Sequence, residues 1–174
     1  MNYKKCVEFL VTRRSVRRFK DAEASDELIL RVLEAAKYAP SAKNSQPWEF
    51  IVIKDPELRR RLAGIHPYAA PIAGAPLAIA VICDPSKSPT SYAVDCANVA
   101  TYLLLAAHAF GLGAVWIQTL RNIEEVRKIL KVPASKVPIA LIALGWPGEK
   151  PKLKPRKEVS EITYLNYYGV PFTR

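Results

Sequence analysis

The sequence predicts a layered α+β domain, and three observations carry that prediction. Two apolar stretches set the sheet: Pro76 to Cys83, a continuous run of strand length, reads as a strand buried on both faces, and Val137 to Leu144 reads as the last core strand. Between them, from about Thr90 to Phe110, lies a helical stretch that is apolar around most of its circumference. Such a helix is buried in the centre of a domain or across a subunit interface. Strands and helices are mixed without a regular βαβ rhythm, which argues against a doubly wound sheet. With 174 residues, half of them hydrophobic, and no internal repeat or linker, residues 1–174 read as one domain.

Taken in order, residues 2–12 read as a helix with Cys6, Val7, Phe9 and Leu10 on its apolar side. Ser25 is a candidate N-cap, with Asp26 and Glu27 opposing the dipole of a helix that runs from Leu28 to Ala39. Pro40 stops that helix, and Trp48 to Lys54 reads as a strand. Asp55-Pro56 is an N-cap followed by proline at the first helical position, opening a helix through Leu62. Residues 64–75 read as an irregular connection. Gly111-Leu112-Gly113 ends the long helix, and Ala114 to Ile117 is a short strand. Asn122 and Glu125 have capping-box spacing for a helix to about Lys131. From Gly145 the chain turns proline-rich and basic, and it closes on Tyr164, Tyr167, Tyr168 and Phe172. A tail of that kind, from about residue 150, packs on its own domain or on a second subunit.

No apolar run approaches the roughly twenty residues of a membrane helix, and the first residues lack a signal-peptide core. Cys6, Cys83 and Cys96 are few, odd in number and far apart, which predicts buried thiols in a reducing cytoplasm. The net charge is +10, and the basic residues cluster. Seven lie in positions 1–20 and five in positions 150–157. Clusters like these suit nucleic acid, a phosphate-bearing cofactor or an anionic surface, or are simply solvated charge.

The candidate chemistry is narrow. Arg13-Arg14-Ser15-Val16-Arg17 can surround a phosphate, because guanidinium forks match its oxygens. The polar loop Pro40-Ser41-Ala42-Lys43-Asn44-Ser45-Gln46-Pro47 is either a tight helix-to-strand connection or a binding loop. His66 and His108 are the only histidines, and neither has metal-ligand spacing; His108 reads as a core residue. There is no Gly-x-Ser-x-Gly elbow, dinucleotide fingerprint or phosphate loop. A cofactor carrying its own reactivity fits this chain better than side-chain-driven hydrolysis.

Four stretches, in order, resemble one family. Arg13-Arg14-Ser15-Val16-Arg17 and Ala39 through Trp48 look like the first two motifs of the FMN-dependent nitroreductases. Asp95 through the long helix into Gly111-Leu112-Gly113-Ala114-Val115-Trp116-Ile117 is similar to the third. Gly145-Trp146-Pro147 with Lys154-Pro155-Arg156 resembles the last. The resemblance implies a three-layer sandwich, with a central mixed sheet flanked by helices, in an intertwined cytoplasmic homodimer.

The resemblance also implies roles. Arg13 and Ser15 would hold the phosphate and ribityl chain of tightly bound, non-covalent FMN, with Arg14 nearby and Arg17 at the pyrimidine edge. Lys154 and Arg156 would complete the phosphate site, and Pro40, Ser41, Ala42 and Asn44 would arrive from the partner subunit. The backbone near Trp116, Ile117 and Gln118 would lie by N5 of the flavin. NADH or NADPH would reduce the flavin, and a nitroaromatic, quinone or similar acceptor would reoxidise it by ping-pong kinetics, without a catalytic side chain or a metal. Ala42 stands where many relatives have a second serine, and the short chain implies an open acceptor site or one covered by the partner's tail. The alternatives are a flavoprotein with a specialised acceptor or a basic nucleic-acid-binding domain, although the basic runs carry little interleaved aromatic character.

Overall fold

The computed structural model describes residues 3–172, so Asn2, the first residue of the predicted opening helix, lies outside the described residues. The regular elements are α1 (Tyr3–Thr12), α2 (Asp26–Ala36), β1 (Trp48–Ile53), α3 (Pro56–Ala63), α4 (Pro71–Gly74), β2 (Leu77–Cys83), α5 (Tyr92–Ala109), β3 (Gly113–Gln118), α6 (Ile123–Leu130) and β4 (Val137–Gly145). The strands form one sheet in the order β1-β2-β4-β3. All three pairings are antiparallel, and the sheet's only parallel element among the described residues is an isolated bridge between Ser15 and Ala114.

The two apolar runs become the two central strands, and their alternation builds the layers. Along β2, Leu77, Ile79, Val81 and Cys83 face α2 and α5, whereas Ala78, Ala80 and Ile82 face α3, α4 and α6. Along β4, Ile142 and Leu144 join the first cluster, Leu141 and Ala143 the second. The result is helices, sheet, helices: a three-layer sandwich. Val81 pairs with Ala140 and Ile82 with Pro138, so Ile139 is the extra residue of a bulge. The bulge turns Ile139 and Ala140 to the same cluster and accommodates a proline inside a core strand.

Local signals placed the helix starts well. Ser25 accepts from the Leu28 amide and Asp55 from the Leu58 amide, each closing an N-cap. α2 ends at Ala36, before the predicted Ala39, because Lys37 to Ala39 already turn toward Pro40. The irregular 64–75 connection holds a 3-10 turn at Pro67–Ala69 and the one-turn helix α4. Asn122 stands at the N-cap of α6, but its side chain makes no cap hydrogen bond: its Nδ2 donates to the carbonyl of Ile65 and to Glu125.

The cysteine reading needs correction. Cys83 and Cys96 are joined in a disulfide, with Cα atoms 6.3 Å apart, and Cys6 is exposed. The loop after β2 folds the start of α5 back onto the strand end, so two cysteines thirteen residues apart meet.

α1 buries no residue, and Val7, Leu10 and Val11 are all more than half exposed. Between Lys152 and Phe172 almost every residue of the tail is exposed, Tyr168 at 92%.

Candidate functional site

The segment after α1 runs alongside the free edge of β3. The Val16 amide donates to the Ala114 carbonyl at 3.1 Å, and the next residues pair with the chain leaving β4. Lys20 donates to the Trp146 carbonyl and Gly148 to the Arg18 carbonyl, both at 2.9 Å. Glu149 Oε1 accepts from the backbone amides of Arg17 (2.7 Å) and Arg18 (3.2 Å). Two glycines make the approach possible. A Cβ on Gly113 would lie 2.8 Å from the Val16 side chain, and one on Gly148 would lie 2.9 Å from the Phe19 backbone.

This pairing brings the two basic clusters together. Arg13, Arg14, Ser15 and Arg17 line a cavity of about 120 Å³ with Pro151, Lys152, Lys154 and Arg156. Six of these eight residues are cationic and none is acidic. Arg14 Nη1 donates to the carbonyls of Val11 and Arg13, capping the end of α1. Arg13 Nη1 is buried with no hydrogen-bond partner. Burial, then the charges of Arg14 and Arg156, lower the pKa of the Arg13 guanidinium. A partly buried cation with one orphaned nitrogen among like charges wants an anion, and the donor set fits a phosphate. The FMN phosphate passes that test of fit.

A second cavity, of about 370 Å³, opens from the same arginines along Val16, Leu104, His108, Leu112, Gly113 and Ala114. His108 is therefore not a core residue closed off from function. Its ring stacks on Phe9 with centroids 5.1 Å apart, and Nε2 lies 3.2 Å from Thr12 Oγ1. Burial, then Arg13, lower its pKa.

Further along β3, Trp116, Ile117 and Gln118 line a third cavity, of about 460 Å³, with His66, Pro67, Tyr68, Arg121 and Asn122. The Ala114 carbonyl faces the outer edge, where it meets Val16, and the Gln118 carbonyl faces it too, where His66 Nε2 lies 3.1 Å away. Antiparallel alternation then turns the backbone N–H and C=O of Trp116 to the same open edge. From Ala114 to Gln118 the edge spans about 14 Å. The short 64–75 connection supplies a wall of this cavity through His66 and Tyr68.

Pro40, Ser41, Ala42 and Asn44 stand elsewhere, and they line none of these three cavities. Their loop is fastened near the start of α5: the Ala42 amide donates to Asp95 Oδ1 and Asn98 Nδ2 to the Pro40 carbonyl. His108, beside Arg13, lies thirteen residues further along α5, or about 20 Å at 1.5 Å per residue. The sequence reading missed Glu149, Lys152, His66, Tyr68 and Arg121. Glu149 and Lys152 sit in a run that reads only as basic and proline-rich, and nothing local marks the others.

The chain matches known proteins along most of its length. The family model described as the nitroreductase family matches residues 10–71 and 66–146. A protein of Methanothermobacter thermautotrophicus, provisionally named NADH dehydrogenase/NAD(P)H nitroreductase, is 41% identical over 83% of this chain and 78% of its own length. The structure of an FMN-dependent nitroreductase from Clostridium difficile superposes with a TM-score of 0.85 at 33% identity, covering 92% of this chain and 99% of that one. The NADPH:FMN oxidoreductase of Vibrio harveyi, solved in complex with NAD+, superposes at 0.84 with 26% identity, over 93% of this chain and 77% of that one.

Proposed function

The chain belongs to the nitroreductase family, and from that membership we propose an NAD(P)H-dependent FMN oxidoreductase that reduces small electron-poor acceptors. One observation carries the cofactor assignment: cations from both ends of the chain converge on a cavity in which Arg13 Nη1 has no partner. Arg13, Ser15, Lys154 and Arg156 hold the phosphate, and Arg17 reaches toward the pyrimidine edge. The β3 edge at Trp116 to Gln118 faces N5 with backbone groups. When bound, FMN supplies the redox chemistry, passing a hydride from NADH or NADPH to a nitroaromatic, quinone or similar acceptor in ping-pong order. The residues around it bind and orient, and their positive charge stabilises the electron-rich reduced state. Convergence into a concave site favours a terminal phosphate over the extended polyanion of a nucleic acid.

The functional unit is a homodimer. The loop from Pro40 to Asn44 lines no cavity with Arg13 and is fastened near the opposite end of α5 from His108, which supports its serving the partner's flavin. The exposed apolar face of α1, with Val7, Leu10 and Val11, and the exposed aromatic tail supply the surface that a second copy covers.

The test is the visible spectrum of the purified protein under anaerobic titration with NADPH and with NADH. A flavin band that bleaches supports the assignment, and the faster donor identifies the co-substrate. A colourless protein that takes up no added FMN overturns it. Light scattering on the flavin-loaded protein tests the shared site, and a monomer would remove it.

A further inference from the structure

The loop between α2 and β1 is held in a conformation that its sequence does not favour. Lys43 (φ 53°), Asn44 (φ 54°) and Gln46 (φ 44°) are left-handed, and none is glycine. Three such residues within four positions persist only where the surroundings over-determine them, and strain of this kind gathers at ligand clamps.

The clamp here comes from α5. Asp95 is 3% exposed and belongs to the helix's first turn, where the helix dipole favours a carboxylate. Its Oδ1 accepts from the Ala42 amide at 3.0 Å, and its Oδ2 accepts from the hydroxyl of buried Ser88 at 2.7 Å. One turn further on, Asn98 Nδ2 donates to the Pro40 carbonyl at 3.2 Å. Ser41 Oγ accepts from the Gln46 amide at 3.1 Å and closes the loop on itself. Ser45 Oγ is buried inside the loop with no partner. Among the described residues Asp95 takes part in no salt bridge. A buried acid beside an apolar cluster is a poor device for stability alone, because an apolar side chain there would avoid its desolvation. Its two oxygens instead fix the positions of two loops against α5.

We propose that Asp95 and Asn98 are positioning residues for the flavin: they hold the strained 41–46 loop in the geometry that meets the partner's FMN. The proposal rests on the reading of that loop as part of the flavin site. Neither residue touches the cofactor. Each acts through the backbone at Pro40 and Ala42, which the helix holds from below.

The experiment compares Asp95→Asn, Asn98→Ala and Asn44→Ala as full-length dimers. The readouts are the FMN dissociation constant, from fluorescence quenching, the circular dichroism of the bound flavin, and the unfolding midpoint of the apoprotein. Asp95→Asn is expected to raise the dissociation constant about tenfold, the worth of one hydrogen bond to a charged group. Asn98→Ala is expected to raise it about threefold, the worth of a neutral one, with the flavin dichroism altered and the apoprotein's unfolding midpoint lowered by no more than about 4 °C. Because Asn98→Ala removes a single partly exposed contact, it decides the matter even if Asp95→Asn fails to fold. Wild-type flavin affinity and dichroism in Asn98→Ala and in any folded Asp95→Asn would overturn the proposal. Asn44→Ala separates the two ways of failing. If it weakens FMN while the α5 variants do not, the loop meets the flavin but α5 does not set its geometry. If Asn44→Ala also binds FMN as wild type does, the loop reading itself falls.

Discussion

Replacing Arg13 by alanine should move apoprotein stability and flavin affinity in opposite directions. In the apoprotein the guanidinium is partly buried, its Nη1 lacks a partner, and Arg14 and Arg156 oppose its charge. An unsatisfied buried donor costs about 1–3 kcal/mol, so its removal returns free energy to the folded state. Lost packing of the side-chain stem cancels part of that gain. The net expectation is an apoprotein within about 1 kcal/mol of wild type on the stabilising side, or up to about 4 °C in unfolding midpoint. In the proposed flavin complex the same guanidinium would face a phosphate dianion. A charge-assisted contact of about 1.5–3 kcal/mol corresponds to a dissociation constant raised about 10- to 150-fold. Arg156, in the exposed tail, should give a smaller loss because solvent and salt screen it. The assay is FMN fluorescence quenching at fixed ionic strength, paired with thermal unfolding of flavin-free protein. An Arg13→Ala protein that binds FMN as tightly as wild type while its apoprotein unfolds several degrees lower would show a structural arginine and refute the phosphate site.

His108 sets a pH dependence. Its pKa is lowered below 6.5 by burial and by Arg13, so the unfolded chain takes up the proton first as pH falls. Apoprotein stability should hold above about 6.5 and drop below it, and His108→Gln should flatten the thermal midpoint measured across that range. Gly148→Ala should cost about 1–3 kcal/mol in denaturant unfolding and weaken FMN, because its Cβ meets the Phe19 backbone; Gly74→Ala, with nothing within 4 Å, is the neutral control. In the native oxidised protein a thiol reagent should modify Cys6 alone, and reducing the Cys83–Cys96 bridge should lower stability by about 3 kcal/mol; two or three labelled cysteines before reduction would contradict the bridge.

What the sequence determined by itself was local. Ser25 and Asp55 announce their helices because a cap is a contact across three residues, and the apolar runs at 76–83 and 137–144 announce core strands because burial on both faces leaves no polar position. The arginine cluster, the polar loop and the β3 stretch were all visible as motifs. What the tertiary structure decided was which of them meet. The cysteine count pointed to free thiols, yet β2 and α5 bring two of them into a bridge. Asn122 has cap-like spacing, yet the Ile65 carbonyl takes its amide. α4 is one turn long, too short to show a period. Arg13 and Arg156 lie at opposite ends of the chain and line one cavity only because residues 17–20 pair with 146–149 under the hold of Glu149. The 40–44 loop stands apart from them because α5 fastens it near its start, at Asp95, about 20 Å along the helix from His108. Caps and periods are written in neighbouring residues, whereas convergence depends on strand pairings and helix lengths that no short stretch contains.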